Sequence, residues 1–279
     1  MFNLTKQLLI AIIIFFSLLP AANARSLQDE DKLSLQLLWK HQFQFAGYYV
    51  AKEKGFYQDV GLNVEIREFD NSVNLVNDVL EGKADFAVGR SSLLVNKAAG
   101  DDIVALFAAF QKSPLMLLTK KSGNINKPGD LRGRKIMITQ DAKRVAELMA
   151  MLLQAGLREE DFIRQPHSFN VQDLIDNNTE AMASYLSNEP FQLTQQGIPY
   201  QVLHPADYGF DMYTDILFSA RKTVSEQPDL TYRFYEASLK GWLYAFDNIE
   251  ETVDLILKHY NSQSRSREAA KHYSLKLMP

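Results

Sequence analysis

Residues 33–68, LSLQLLWKHQFQFAGYYVAKEKGFYQDVGLNVEIRE, leave the chain few ways to fold. Leu33, Leu35 and Leu37 alternate with polar residues, as in a strand with one buried face, whereas Ala46, Tyr49, Val50 and Phe56 fall at helical spacing across residues 45–57. Gly61 reads as the helix stop, and Leu62, Val64 and Ile66 then alternate again as a second strand. Two strands joined through a helix are parallel neighbours in a right-handed crossover. The loop between the first strand and its helix, Trp39-Lys40-His41-Gln42-Phe43-Gln44, therefore lies at the carboxyl end of a parallel strand, where open α/β sheets take their ligands.

The amino terminus reads as a targeting segment rather than as part of this fold. Lys6 supplies a positive start, Leu8 to Leu19 are mostly apolar, and Ala22-Asn23-Ala24 forms an A-x-A cleavage site. That apolar stretch falls short of the roughly 20 residues that span a bilayer, so cleavage after Ala24 is preferred over a signal anchor. No later stretch is long and apolar enough to cross a membrane. Removing residues 1–24 takes away one cation, Lys6, out of 30, which leaves 29 basic against 34 acidic residues and a net charge of −5. A chain so balanced has no electrostatic footprint for nucleic acid and is expected to stay monomeric in solution. It holds no cysteine, so neither disulfides nor thiolate chemistry is available to an exported chain.

The Trp that ends the first strand, the aromatic loop, A-G-Y-Y, K-G-F-Y and G-L-N-V together resemble the amino-terminal signature of the NMT1/THI5-like family of periplasmic substrate-binding proteins. The similarity continues through Gly82-Lys83-Ala84-Asp85-Phe86-Ala87-Val88-Gly89, Leu131-Arg132-Gly133-Arg134-Lys135-Ile136 and Ser187-Asn188-Glu189-Pro190. The resemblance implies an α/β, two-lobe type II periplasmic binding protein fold with hinge-connected lobes. Lobe one is expected to comprise residues 31–112 and 214–279, and lobe two residues 113–213, with crossings near Gln111 to Pro114 and at Asp215 to Ala220. Further strands are expected at 85–89, 103–107, 135–139, 162–166 and 201–203, a strand or short helix at 181–186, a helical turn at 171–175, and helices at 73–80, from Leu93, and at 142–154, 228–246 and 249–260. In similar sequences the helical region runs on beyond Pro279.

Three places can carry chemistry. In the aromatic loop, Trp39, Phe43 and Tyr48 can stack on a flat ring, while His41, Gln42 and Gln44 can hydrogen-bond its edge. Phe45 and Tyr49 read as core. In Gly89-Arg90-Ser91-Ser92, backbone amides and the hydroxyls of Ser91 and Ser92 can receive a carboxylate or phosphate, with Arg90 adding charge; simple helix capping by a serine is the equal alternative. The third place comes with the resemblance, which implies an acidic ligand contact at Glu189 in the N-E-P turn. Asp207 and Tyr213, near the return crossing, complete the candidate set.

Enzymatic readings lack their parts. The eukaryotic-type relatives are pyrimidine synthases using pyridoxal phosphate, a lysine, a histidine and a cysteine cluster, and their alignment puts Gly89 at the lysine and Leu93 at the histidine. Without the amine no Schiff base forms, so no cofactor is expected. G-x-S-x-G, H-E-x-x-H and P-loop motifs are absent, and the histidines at 41, 167, 204, 259 and 272 show no metal-ligand spacing. The resemblance implies capture of a small heterocycle, such as a thiamine-related pyrimidine, for an ABC permease. The alternative is ligand sensing ahead of a downstream signalling domain. Mass spectrometry of the exported protein should find a chain beginning at Arg25; a membrane-held chain starting at Met1 would favour the signal anchor.

Overall fold

The computed structural model describes residues 30–70, 72–138 and 145–277. The proposed signal peptide, 1–24, and the start of the predicted helix at 142–154 lie outside the described residues. Ten strands are present among them: β1 (Asp31–Gln36), β2 (Leu62–Arg67), β3 (Phe86–Gly89), β4 (Ile103–Phe110), β5 (Leu115–Lys120), β6 (Lys135–Ile138), β7 (Ile163–Pro166), β8 (Ala181–Tyr185), β9 (Tyr200–Leu203) and β10 (Thr214–Ala220). They form two five-stranded sheets, ordered β2-β1-β3-β10-β4 and β7-β6-β8-β5-β9. Each sheet is the foundation of one lobe.

The opening unit folds as its pattern predicts, with β1 and β2 parallel from Asp31 opposite Leu62 to Gln36 opposite Arg67. Its helix is shorter than expected. A 3₁₀ turn at Phe43–Phe45 leads into the helix Ala46–Glu53, and Gly55, at φ 78°, ends it; Gly61, at φ 72°, instead closes a later 3₁₀ turn at Gln58–Val60. The difference comes from Gly55, whose left-handed backbone, two residues after Glu53, stops the helix there.

The two sheets share one plan. In each, a single antiparallel strand is inserted among the others: β10 between β3 and β4, and β5 between β8 and β9. Both inserted strands directly follow a passage of the chain from one sheet to the other, at 111–114 and at 209–213. Thr214 pairs with Phe110, so the two passages run side by side.

Lobe one has a continuous core that joins Leu35, Val88 and Phe218 from the sheet to Phe234, Trp242 and Ile256 from helices Pro228–Asp247 and Ile249–His259. The lobe-two sheet is covered on both faces, with Leu117, Ile136 and Leu148 on one side and Met116, Leu118 and Leu174 on the other. A helix at Arg267–Leu277, which the sequence reading did not foresee, packs Tyr273 into lobe one. Among the described residues no helix is long and apolar enough to cross a membrane.

Helices Ala46–Glu53 and Pro228–Asp247 approach closely because glycines face each other. A Cβ on Gly241 would lie 2.0 Å from the Gly47 carbonyl oxygen and 2.8 Å from the Ala51 Cβ, and one on Gly47 would enter the Trp242 ring. Gly241→Ala should therefore force the helices apart and destabilise the protein by about 1–3 kcal/mol. Thermal denaturation should show a midpoint lower by about 2–4 °C for each kcal/mol.

Candidate functional site

A cavity of about 410 Å³ opens between the lobes, lined by Trp39, Glu68 and Arg265 on one side and by Phe169, Asn188 and Glu189 on the other. Trp39 stands at the carboxyl end of β1, as the opening pattern requires. Its ring meets lobe two edge-on, with centroids 4.8 Å from Phe169 and 5.3 Å from His167. His167 donates from Nε2 to the Ala183 carbonyl at 2.8 Å and accepts the Phe169 N–H at Nδ1 at 2.9 Å, so it is the neutral tautomer. Burial pushes its pKa down to about 4, which keeps it neutral beside the Arg90 charge.

Below the cavity lies a buried polar network that ties both lobes to the second passage. Gln42 Nε2 donates to Gln44 Oε1 at 2.6 Å, Gln44 Nε2 to Asp215 Oδ1 at 2.5 Å, and the Tyr185 hydroxyl to Asp215 Oδ2 at 3.2 Å. The Arg90 guanidinium is 5.8 Å from both the Trp39 and Tyr185 rings, and its Nε reaches the Tyr185 hydroxyl at 3.4 Å. Asp215 adopts φ 51°, a left-handed conformation that short polar side chains tolerate and that sets it apart from the rest of β10.

Glu189 opens the helix Glu189–Gln195, accepting the Tyr185 N–H at 3.0 Å and Asn188 Nδ2 at 2.6 Å. Burial raises its pKa, while hydrogen bonds and the Arg265 charge pull it back. Arg265, in the segment joining the last two helices, donates to Asn188 Oδ1 at 2.7 Å and to Gln42 Oε1 at 3.0 Å.

Trp39, Gln42, Gln44, Arg90 and Glu189 thus converge on the cleft or its floor. The remaining candidates do not. Tyr48 is fully buried in lobe one, its ring 5.7 Å from Trp242 and 6.3 Å from Phe107, because its helical position points inward. Phe43 packs with Val253, Ile256 and Tyr273. His41 turns away to bond the Tyr49 hydroxyl at 2.8 Å. Asp207 is exposed on the turn Pro205–Tyr208, Tyr213 is 58% exposed, and neither lines the cleft.

Ser92 is buried at its helix start and lines neither cavity. Ser91 does not cap its own helix. Its Oγ crosses to lobe two, accepting the Ala146 N–H at 3.0 Å and donating to Glu147 at the start of the helix Ala146–Gln154. Gly89 is equally uninviting to the synthase chemistry: a Cβ there would lie 2.9 Å from Leu93 Cδ1 and 3.1 Å from Phe218 Cε1. Position 89 therefore does not fit a lysine that would hold pyridoxal phosphate.

Sequence reading missed Asp215 and Arg265. A charge near the start of the apolar strand T-D-I-L-F-S-A was a usable signal for the first; Arg265, in the polar run S-Q-S-R-S-R, offered none.

Comparison with known proteins agrees with this architecture. The family described as NMT1/THI5 like matches residues 42–252. The chain is 28% identical over 249 residues to the riboflavin-binding protein RibY of Chloroflexus aurantiacus, covering 86% of this chain and 69% of that protein. It is 22% identical over 258 residues to the formylaminopyrimidine-binding protein of Halalkalibacterium halodurans, covering 89% and 78%. A 4-amino-5-hydroxymethyl-2-methylpyrimidine phosphate synthase of Legionella pneumophila is 23% identical over 234 residues, covering 81% and 73%. Among solved structures, the alkanesulfonate-binding protein SsuA of Xanthomonas axonopodis pv. citri, bound to MOPS, superposes with a TM-score of 0.69 at 15% identity, covering 89% of this chain and 84% of that one. The expected two-lobe periplasmic binding fold is the fold of this chain.

Burial raises the Asp215 pKa from 3.8 to about 7. Its folded value lies above its unfolded one, so the contribution to stability is complete below about pH 4 and is lost as pH rises through about 7. Unfolding by denaturant should show stability falling over that window, by up to about 4 kcal/mol from this group at 1.36 kcal/mol per pKa unit. Asp215→Asn should flatten the slope; an unchanged slope would place the titration elsewhere.

Proposed function

Because the chain belongs to the NMT1/THI5-like family, we propose that it is a solute-binding protein that captures a flat nitrogen heterocycle between its lobes. The cavity supports this most directly, since it sets an aromatic ring, Trp39, from lobe one against a carboxyl group, Glu189, from lobe two. Its volume of about 410 Å³ falls within the range of small-molecule sites, roughly 300–1,000 Å³. The relatives named for riboflavin and formylaminopyrimidine point to the same ligand chemistry. A thiamine-type pyrimidine remains within that class.

In this reading the lobes, 31–112 with 214–279 and 113–213, close over the ligand by bending at the paired passages. The protein is exported through its amino-terminal segment, works outside the cytoplasm as a monomer and hands its ligand to an ABC permease. Sensing ahead of a signalling domain would use the same closure with a different listener. Adjacent permease and ATPase genes would separate transport from sensing. The Gly89 packing argues against the synthase alternative, and an internal aldimine band on adding pyridoxal phosphate would reinstate it.

Calorimetry against a panel of aminopyrimidines and larger heterocycles tests the site. Trp39→Ala should weaken binding by roughly 0.5–1.5 kcal/mol beyond the lost contact area. Glu189→Gln should cost roughly 1.5–3 kcal/mol, a drop of about tenfold or more. A ligand that binds wild type and both folded variants equally well would show that the cleft assignment is wrong.

A further inference from the structure

Arg265 lies beyond the residues matched by the family, 42–252, yet it stands on the cavity wall. Its guanidinium donates to three oxygens: Asn188 Oδ1 at 2.7 Å, Gln42 Oε1 at 3.0 Å and Gln263 Oε1 at 3.1 Å. All three belong to neutral carboxamides. Arg265 Nε is buried and makes no hydrogen bond, the Tyr273 ring lies 5.6 Å from the guanidinium, and no ion pair to Arg265 occurs among the described residues. A cation so placed retains a demand for electron-rich oxygen.

The Asn188 carboxamide shows how that demand can be met. Its carbonyl accepts from Arg265, while its amide nitrogen donates to Glu189 Oε1 at 2.6 Å. Arginine and carboxylate are thus spaced to hold one amide group between them, with the carbonyl toward the cation and the N–H toward the acid. A lactam edge, a ring carbonyl beside a ring N–H, presents the same pair of groups in the same order. Exchanging one amide for another keeps all three acceptors of Arg265, whereas a ring without a carbonyl would leave it with Gln42 and Gln263 alone and its Nη1 without the acceptor that Asn188 supplies.

We propose that Arg265 and Glu189 select heterocycles with a lactam edge, Arg265 being the specificity residue for the carbonyl and Asn188 holding that position in the structure described. This rests on the heterocycle-binding reading above and narrows its ligand class. The exchange involves hydrogen bonds only.

Titration calorimetry with riboflavin and uracil as lactams, 3-methylriboflavin as the same large ring with its N–H blocked, and 4-amino-2-methylpyrimidine as a carbonyl-free ring tests it. Wild type should bind at least one lactam, and should prefer riboflavin to 3-methylriboflavin by at least tenfold if riboflavin enters. Arg265→Gln should weaken lactam binding at least tenfold while leaving the aminopyrimidine within threefold; Arg265→Lys, which keeps charge but not the fork, should fall between. Asn188→Ala should leave lactam affinity within threefold or raise it. Circular dichroism melts confirm that each variant is folded.

An equal loss for lactam and aminopyrimidine in Arg265→Gln, or a larger loss of lactam affinity in Asn188→Ala, would overturn the proposal. Wild type binding the aminopyrimidine but no lactam would sink this inference and leave the heterocycle reading standing. Binding of none of the four would sink both.

Discussion

A carboxyl group out of reach of water, Asp215, is the point on which the two lobes converge. Gln44 from the β1 loop and Tyr185 from the end of β8 both donate to it, and it sits where the chain returns to lobe one. Burying such a group without partners costs several kcal/mol, so its bonds to both lobes hold as a set or fail as a set. Arg90 joins the set through Tyr185 and places a cation beneath the Trp39 ring. The aromatic wall of the cleft is thereby oriented from below. What looks like a surface loop after β1 is fixed by polar bonds that reach across the molecule.

Much of the architecture was legible in residues 33–68, because a parallel strand pair with one buried face dictates its own alternation and its own loop position. The convergence of Trp39, Gln42 and Gln44 followed from that loop. Tyr48 shows where such reading fails: one helical step decides between cleft and core, and the aromatic richness of a segment does not say which side each ring takes. Ser91 fails differently. A serine before a helix reads as that helix's cap, and only the folded chain shows that its oxygen serves a helix of the other lobe. Asp215 and Arg265 depend on contacts spanning 171 and 223 residues, to Gln44 and Gln42, and no local pattern encodes distances of that kind.

The cleft is also closed by more than its floor. Ser91 with Ala146 and Glu147, Trp39 with His167 and Phe169, and Arg265 with Asn188 also join the lobes. Each contact joins residues of different lobes, so none survives separation of the sheets. If the lobes part as proposed, opening would expose the first amide of the helix Ala146–Gln154 and the guanidinium of Arg265 together, so that these contacts would be lost as a set.

The inserted strands carry a consequence for how the molecule comes into being. Lobe two draws all five of its strands from the continuous stretch 115–203, whereas the lobe-one sheet waits for β10 at 214–220 to fill the gap between β3 and β4. As a ribosome delivers the chain from its amino terminus, the later lobe can finish first, while the earlier one stands with two unsatisfied strand edges. The last strand to arrive brings Asp215 with it, so the floor of the cleft is laid in the same event that seals the older sheet.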